Sequence, residues 1–188
     1  MGYLERPPEE EVREILERFG RIRRRVVDWD LTDQEYTPDD PPCDGEVVPL
    51  VLDEEDRLAV VRQRDGPAYF IIPTGRINPG ESVEAGAIRE AWEETGCEVR
   101  VEDVAALHRV RIQFKISQLE RWYFIVLCRV EGPVGSPLDT EEISEVKFVD
   151  LPGEMPVEWA QSEWYVWVLK DASLLHPHSF LVGKPSSE

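Results

Sequence analysis

The stretch "GRINPGESVEAGAIREAWEETGC", residues 75–97, places Glu90, Glu93 and Glu94 within five positions, with only Arg89 beside them as a cation. Residues three and four apart share one face of a helix, so these carboxylates converge, and like charges at that spacing repel by about 0.2–0.5 kcal/mol per pair. A helix is expected from about Ser82 to Thr95, closed by Gly96 in the C′ position that favours glycine. Val83, Ala87, Ile88 and Ala91 offer it an apolar side to lay on a sheet. Taken alone, three glutamates read first as an exposed acidic face, which is common in so acidic a chain. Their closeness turns favourable if a divalent cation sits among them, and hard oxygen ligands suit Mg²⁺ or Mn²⁺ better than zinc.

The flanks of this stretch look like a sheet. Upstream, "EVVPLVL" (46–52) and "RLAVVRQ" (57–63) flank the turn "DEED", a hairpin pattern, and "AYFIIP" (68–73) follows as a third β-type run. Downstream, strands are expected in "EVRVEDVAALHRVRI" (98–112), "RWYFIVLCRV" (121–130) and "SEVKFVD" (144–150). A last helix fits "VEWAQSEWYVWVLKDA" (157–172), where Trp159, Trp164, Trp167 and Val168 can share an inner face. Strands before and after a central helix, with another helix at the end, predict an α+β fold or mixed sandwich.

Ahead of these runs, Val12, Ile15, Leu16, Phe19, Ile22 and Val26 stand at helical spacing after Pro7-Pro8. Gly20 breaks that pattern and leaves "RIRRRVVDWDL" (21–31) as a second short element, a strand. The segment "TPDDPPCDG" (37–45) is dense in Pro, Asp and Gly and reads as a linker. The expected division is a helical arm and linker over 1–45, a compact domain over 46–175, and a tail over 176–188.

Composition narrows the function classes. The 39 acidic against 21 basic residues give a net charge of −18, which repels nucleic acid polymers and anionic membranes. Lysine is scarce, with only Lys115, Lys147, Lys170 and Lys184, and the pattern fits an acidic surface adapted to high salt, a halophilic habitat. No apolar run reaches the roughly 18 residues that a bilayer-spanning helix needs. The N-terminus lacks the apolar core of a secretory signal. Cys43, Cys97 and Cys128, odd in number and far apart, read as reduced thiols of a cytoplasmic protein.

The residues around the three glutamates carry a more specific pattern. Gly75, Glu81, Arg89-Glu90, Ala91, Glu93-Glu94, Gly96 and Cys97 stand at the spacing of the Nudix box, with Ala91 and Cys97 where larger aliphatic residues are usual. The chain thus resembles the Nudix hydrolase superfamily over the box, and over roughly residues 46–170 by strand pattern. The run "FIIPTGRINPGE" is similar to the family's approach to the box, with Thr74 where glycine is usual. The resemblance implies an α/β/α sandwich with a mixed β-sheet and the glutamate helix packed on it. It implies metal-dependent hydrolysis of a diphosphate bond in a nucleoside diphosphate linked to another moiety: a nucleotide-sugar, an ADP-ribose-like compound or a nucleoside triphosphate.

By the same resemblance Glu90, Glu93, Glu94 and the Gly75 carbonyl are expected metal ligands for Mg²⁺, with Mn²⁺ the other candidate, and Glu81 and Arg89 pair in support. The general base stays open between a box glutamate and an acid of "GSPLDTEEISE" (135–145), where Glu142 is preferred over Glu141 and Glu145. Arg76, Arg62 and Arg64 are candidate phosphate contacts. Two other functions compete: a regulatory Nudix module that binds a nucleotide without turnover, and a diphosphate isomerase on the same fold. Retention of every box glutamate favours the hydrolase over the first. None of the three cysteines has the strand context that the isomerase needs. Some ADP-ribose hydrolases of the family carry a proline about sixteen residues past the box, where this chain has Gln113. The N-terminal arm is a candidate homodimer contact.

Overall fold

Residues Glu46–Leu52 are buried without a break, as in a strand covered on both faces. They form the third strand of a computed structural model that describes residues 2–20, 22–33, 35 and 43–180. The elements run β1 (Gly2–Glu5), α1 (Glu9–Phe19), β2 (Arg23–Leu31), β3 (Glu46–Leu52), β4 (Leu58–Gln63), β5 (Gly75–Arg76), α2 (Val83–Thr95), β6 (Val99–Phe114), β7 (Gln118–Val130), β8 (Ile143–Val149), α3 (Val157–Gln161), α4 (Glu163–Ala172) and α5 (Pro177–Phe180). One sheet holds all eight strands, in the order β2-β6-β7-β3-β4-β8, with β1 beside β7 and β5 beside β3. The pairs β2–β6, β1–β7 and β3–β7 are parallel and the remainder antiparallel, so the sheet is mixed.

Alternation along the strands builds a core on each face. Val47, Val51 and Ala59 point to one side, where Ile77, the Val83, Ala87 and Ala91 stripe of α2, and Ile15 of α1 cover them. Leu50, Leu52, Val60, Ile125 and Leu127 point to the other, against Trp159, Val168, Leu169, Ala172 and Phe180. The result is the α/β/α sandwich that the resemblance implied. Ile88, expected on the inner side of α2, is instead 38% exposed, because the buried face is rotated toward Glu90 and Glu94.

β3 and β4 form the expected hairpin but touch in register only at Leu52 and Leu58. Nearer its start β3 takes β5 as partner, through Glu46–Arg76 and Val47–Gly75. Pro49, which has no N–H to donate, lies between these two pairings, where the strands part. That opening admits the segment leading into α2. "AYFIIP" contributes only a bridge between Ile71 and Val61 rather than a full strand.

The N-terminal segment differs from a helical arm set apart from the domain. Helix α1 ends at Gly20, whose φ of 43° is left-handed, and the next residues form β2, parallel to β6. With β1 also in the sheet, the boundary expected near Glu46 is crossed by strand pairing. Most of the expected linker (residues 37–42), the tail residues 181–188 and Arg21 lie outside the described residues. The first part of the expected tail docks, since Phe180 is 1% exposed in the core. The last helix is two: α3 stops at Ser162 and α4 begins one residue later. Trp159 and Val168 face inward as expected, while the Trp167 ring lies under the Arg25 guanidinium, 3.8 Å from its centroid.

Candidate active site

The Ser82 hydroxyl caps α2 by accepting from the Ala85 N–H, and the Gly96 N–H closes its far end on the Trp92 carbonyl. Gly96 has φ 71° and could carry no side chain, because an added Cβ would stand 2.2 Å from the Ser136 carbonyl oxygen. The loop over residues 131–142 therefore crosses directly over the end of α2. The Leu138 and Asp139 N–H groups both donate to the Glu93 carbonyl, at 2.9 and 3.1 Å, and fix it there.

At the other side of the helix Gly75 and Glu90 meet. A Cβ on Gly75 would fall 1.9 Å from the Glu90 carboxyl carbon, so only glycine lets this carboxylate lie against the β5 backbone. Glu90 and Glu94 are 8% and 5% exposed. Burial pushes both carboxyls up, Glu94 to about 8 with the Glu90 and Glu142 charges adding to the effect. Glu94 accepts from the Thr74 N–H at 3.1 Å. The Glu93 side chain, 39% exposed, reaches toward solvent.

Arg89 organises the cluster. Its Nε and Nη2 donate to the two Glu81 oxygens at 2.9 and 2.8 Å, and Nη2 also donates to the Arg76 carbonyl at 2.7 Å. Its Nη1 donates to Glu90 at 2.6 Å and to Glu93 at 2.9 Å. Glu81 accepts in addition from the Asn78 N–H at 3.0 Å, and the Arg89 hydrogen bonds hold its carboxyl below the usual range. The expected Glu81–Arg89 pair is thus present, joined by two box glutamates. Among the described residues no three His, Cys, Asp or Glu side chains converge on one point as they stand. Arg89 draws Glu90 and Glu93 to itself, while Glu94 turns to Thr74. The donor set nevertheless fits a hard divalent ion: three carboxylates, two of them buried, beside a main chain kept bare at Gly75.

Glu142 is brought near by the tethered loop. Gln63 Nε2 donates to its carboxylate at 2.7 Å, and its own N–H donates to Asp139 Oδ1 at 2.9 Å. Gln63, Asp65, Gly66, Asp139, Glu141 and Glu142 line an open cleft of about 490 Å³. Asp139 and Gln63 were missed in the sequence. The spacing of Asp139 and Glu142, an acid accepting from the N–H three residues on, was the readable signal for the first; Gln63 had none.

The three arginines expected to meet phosphate each hold protein groups. Arg62 donates to the Ala68 carbonyl at 2.9 Å, pairs with Glu145 at 3.3 Å and lies over Phe70. Arg64 donates to the Thr140 carbonyl at 2.9 Å. Arg76 faces Glu5 of β1 at 3.7 Å. Glu5 and Glu46, both buried, accept from Arg121, so β1, β3 and β7 are joined by a buried ionic cluster next to β5.

The NUDIX domain family model matches residues 44–168. The chain belongs to that family. A segment of 61 residues is 48% identical to Nudix hydrolase 19, chloroplastic, of Arabidopsis thaliana, covering 31% of this chain and 14% of that protein. A segment of 63 residues is 33% identical to a MutT-like protein of Streptomyces ambofaciens, covering 34% and 40%. The chain thus spans less than half the length of these curated relatives. Among solved Nudix structures, that of a UDP-X diphosphatase superposes with TM-score 0.53 at 20% identity, covering 92% of this chain and 74% of that one, a likeness of fold.

Proposed function

We propose that this chain hydrolyses a diphosphate bond in a nucleoside diphosphate linked to another moiety, using a divalent cation, Mg²⁺ or Mn²⁺. The observation that carries the reading is the contact of Gly75 with Glu90 beside the buried Glu94. A buried acid pair without a cationic function would be costly, and the glycine at 75 is what lets one of the two acids lie against the main chain. Glu90, Glu93, Glu94 and the Gly75 carbonyl would hold the ion. Bound there, it would offset diphosphate charge and lower the pKa of the attacking water. Arg89 and Glu81 fix the loop before α2 against the helix, so the Gly75 carbonyl and the glutamates keep their spacing.

Glu142 takes the water proton in this reading. It is exposed, oriented by Gln63, and carried on a loop anchored to the Glu93 carbonyl, whereas Glu94 is committed as a ligand. Arg62 and Arg64 border a cleft with Gly66, Pro67 and Ser144 and are the phosphate contacts that we favour, with Arg76 serving β1 instead. The substrate is a small nucleotide rather than a nucleic acid polymer, which the charge of −18 would repel. The site of action is the cytoplasm, where the three buried cysteines stay reduced.

The test is a hydrolysis panel over sugar nucleotides, ADP-ribose, dinucleoside polyphosphates and nucleoside triphosphates, with and without Mg²⁺, at low and high KCl. Turnover of one class that disappears in Glu93→Gln is expected. A folded, Mg²⁺-binding chain silent on every substrate would point to the regulatory module instead.

A further inference from the structure

β2 ends the sheet. Among the described residues no strand pairs with its outer side, so along this nine-residue strand the alternate residues that face away from β6 present unpaired N–H and C=O groups. Natural edges are guarded by proline, bulges or shortness, and β2 has none of these: its register against β6 runs unbroken from Arg23 to Leu31. Its charges are the remaining guard, and their arrangement is unusual. The sequence RRRVVDWDL carries arginines before Val27 and aspartates after it.

From this we propose that β2 pairs antiparallel with β2 of a second copy of this chain, about a two-fold axis through Val27. Three features of the strand select this geometry. A two-fold axis that continues the sheet must stand normal to it, so residues meeting across the axis share a face and their numbers sum to an even value. Centring on Val27 pairs the whole strand, Arg23 with Leu31 and Arg24 with Asp30. Centring one residue later would set Asp28 against its own copy, a repulsive contact. Centring one residue earlier would aim Arg24 at Asp28, which Arg111 already holds at 2.7 and 2.9 Å.

The residues concerned are available for the contact. Arg24, Val26, Asp28 and Asp30 are all exposed on one face of the strand, Val26 by 53%. Arg24 makes no ion pair with any described residue, and Asp30 accepts only from Thr32, through its N–H and its hydroxyl, with no cation against it among the described residues. Two equivalent Arg24–Asp30 pairs would form across the axis with Val26 facing Asp28 of the copy between them, and Val27 would meet its own copy on the opposite face. The pairing stands apart from the hydrolase reading, since none of these residues belongs to the glutamate cluster.

Sedimentation velocity of the full chain tests it. The wild type should show a concentration-dependent species of twice the chain mass. Arg24→Asp or Asp30→Arg alone sets like charges opposite one another twice and should raise the dimer dissociation constant about ten-fold or more. The double variant Arg24→Asp/Asp30→Arg restores both pairs with reversed polarity and should recover the dimer. A wild type that stays monomeric, or a dimer indifferent to both single reversals, overturns the proposal. Failure of the double variant to recover, with its circular dichroism unchanged, overturns it as well.

Discussion

Arg89 Nη1 lies between two box glutamates, 2.6 Å from Glu90 and 2.9 Å from Glu93, while the rest of its guanidinium is fixed on Glu81 and the Arg76 carbonyl. One side chain therefore joins the loop, the helix and the acid cluster. Arg89→Lys keeps the charge but cannot span these partners from a single ammonium. A loss of about 2–3 kcal/mol is expected, below the roughly 3–5 kcal/mol of a fully buried pair, because Arg89 keeps a quarter of its side chain exposed. Chemical denaturation would measure it. A Lys variant as stable as wild type would mean that charge alone holds the loop.

Glu93→Gln tests the ion site with little risk to the fold, because this side chain is partly exposed and its main chain does the tethering. Turnover should fall about 10²–10³-fold or more, the scale of losing a group that stabilises developing charge. The melting temperature should hold within a few degrees. Full Mg²⁺-dependent turnover in this variant would remove Glu93 from the site.

Gly75→Ala should be damaging out of proportion to one methyl group. Its Cβ would collide with the Glu90 carboxylate, so the acid or β5 must move. Overpacking of this sort costs about 1–3 kcal/mol, and Mg²⁺ affinity should fall with it. Isothermal titration with Mg²⁺ on the folded variant decides the matter: unchanged affinity would mean that the approach is incidental.

Metal-free protein should lose stability as pH rises. Glu94 is raised from 4.5 to about 8, so between those values the folded chain keeps a proton that the unfolded chain has released. Stability then falls as pH climbs through that window. Glu90, also raised, acts in the same direction; Glu81, lowered by Arg89, acts oppositely and loses its contribution only as pH falls. Mg²⁺ binding must expel the retained protons. Melting curves in EDTA should decline across the window, and calorimetry in buffers of different ionisation heat should detect proton release. Binding without release would show the acids already ionised.

Salt should stabilise the fold if the net charge of −18 reflects a high-salt habitat. Exposed pairs such as Arg111–Asp28 are weak, so the loss from screening them is smaller than the gain from relieving the general repulsion. Melting temperature followed by circular dichroism should rise with KCl, and a fall would mean that the ion pairs dominate.

The glutamate helix was legible because local rules wrote it: a glycine stop, and acids spaced to share a face. Strands β3, β4, β6, β7 and β8 were legible by their apolar runs, while the short β1 and β5 were not. What the sequence hid was non-local. The break at Gly20 and a strand after it were readable, but nothing in RRRVVDWDL says that it will run parallel to β6. Thr74 and Gln63 reach the acids through one hydrogen bond each, from backbone and side chain, and neither leaves a spacing to find. Arg76 looked like a phosphate contact because a sequence shows charge and not the Glu5 carboxylate that faces it.

The position of Arg89 bears on how the protein would take up an ion. Its guanidinium already serves as counter-ion to Glu90 and Glu93, so loading would swap one cation for another instead of filling a vacant hole. An acid cluster with a built-in counter-ion can fold before any metal arrives. On the proposed ion site it would also let a metal leave Glu90 and Glu93 without baring their charge, as an ion-exchange resin does.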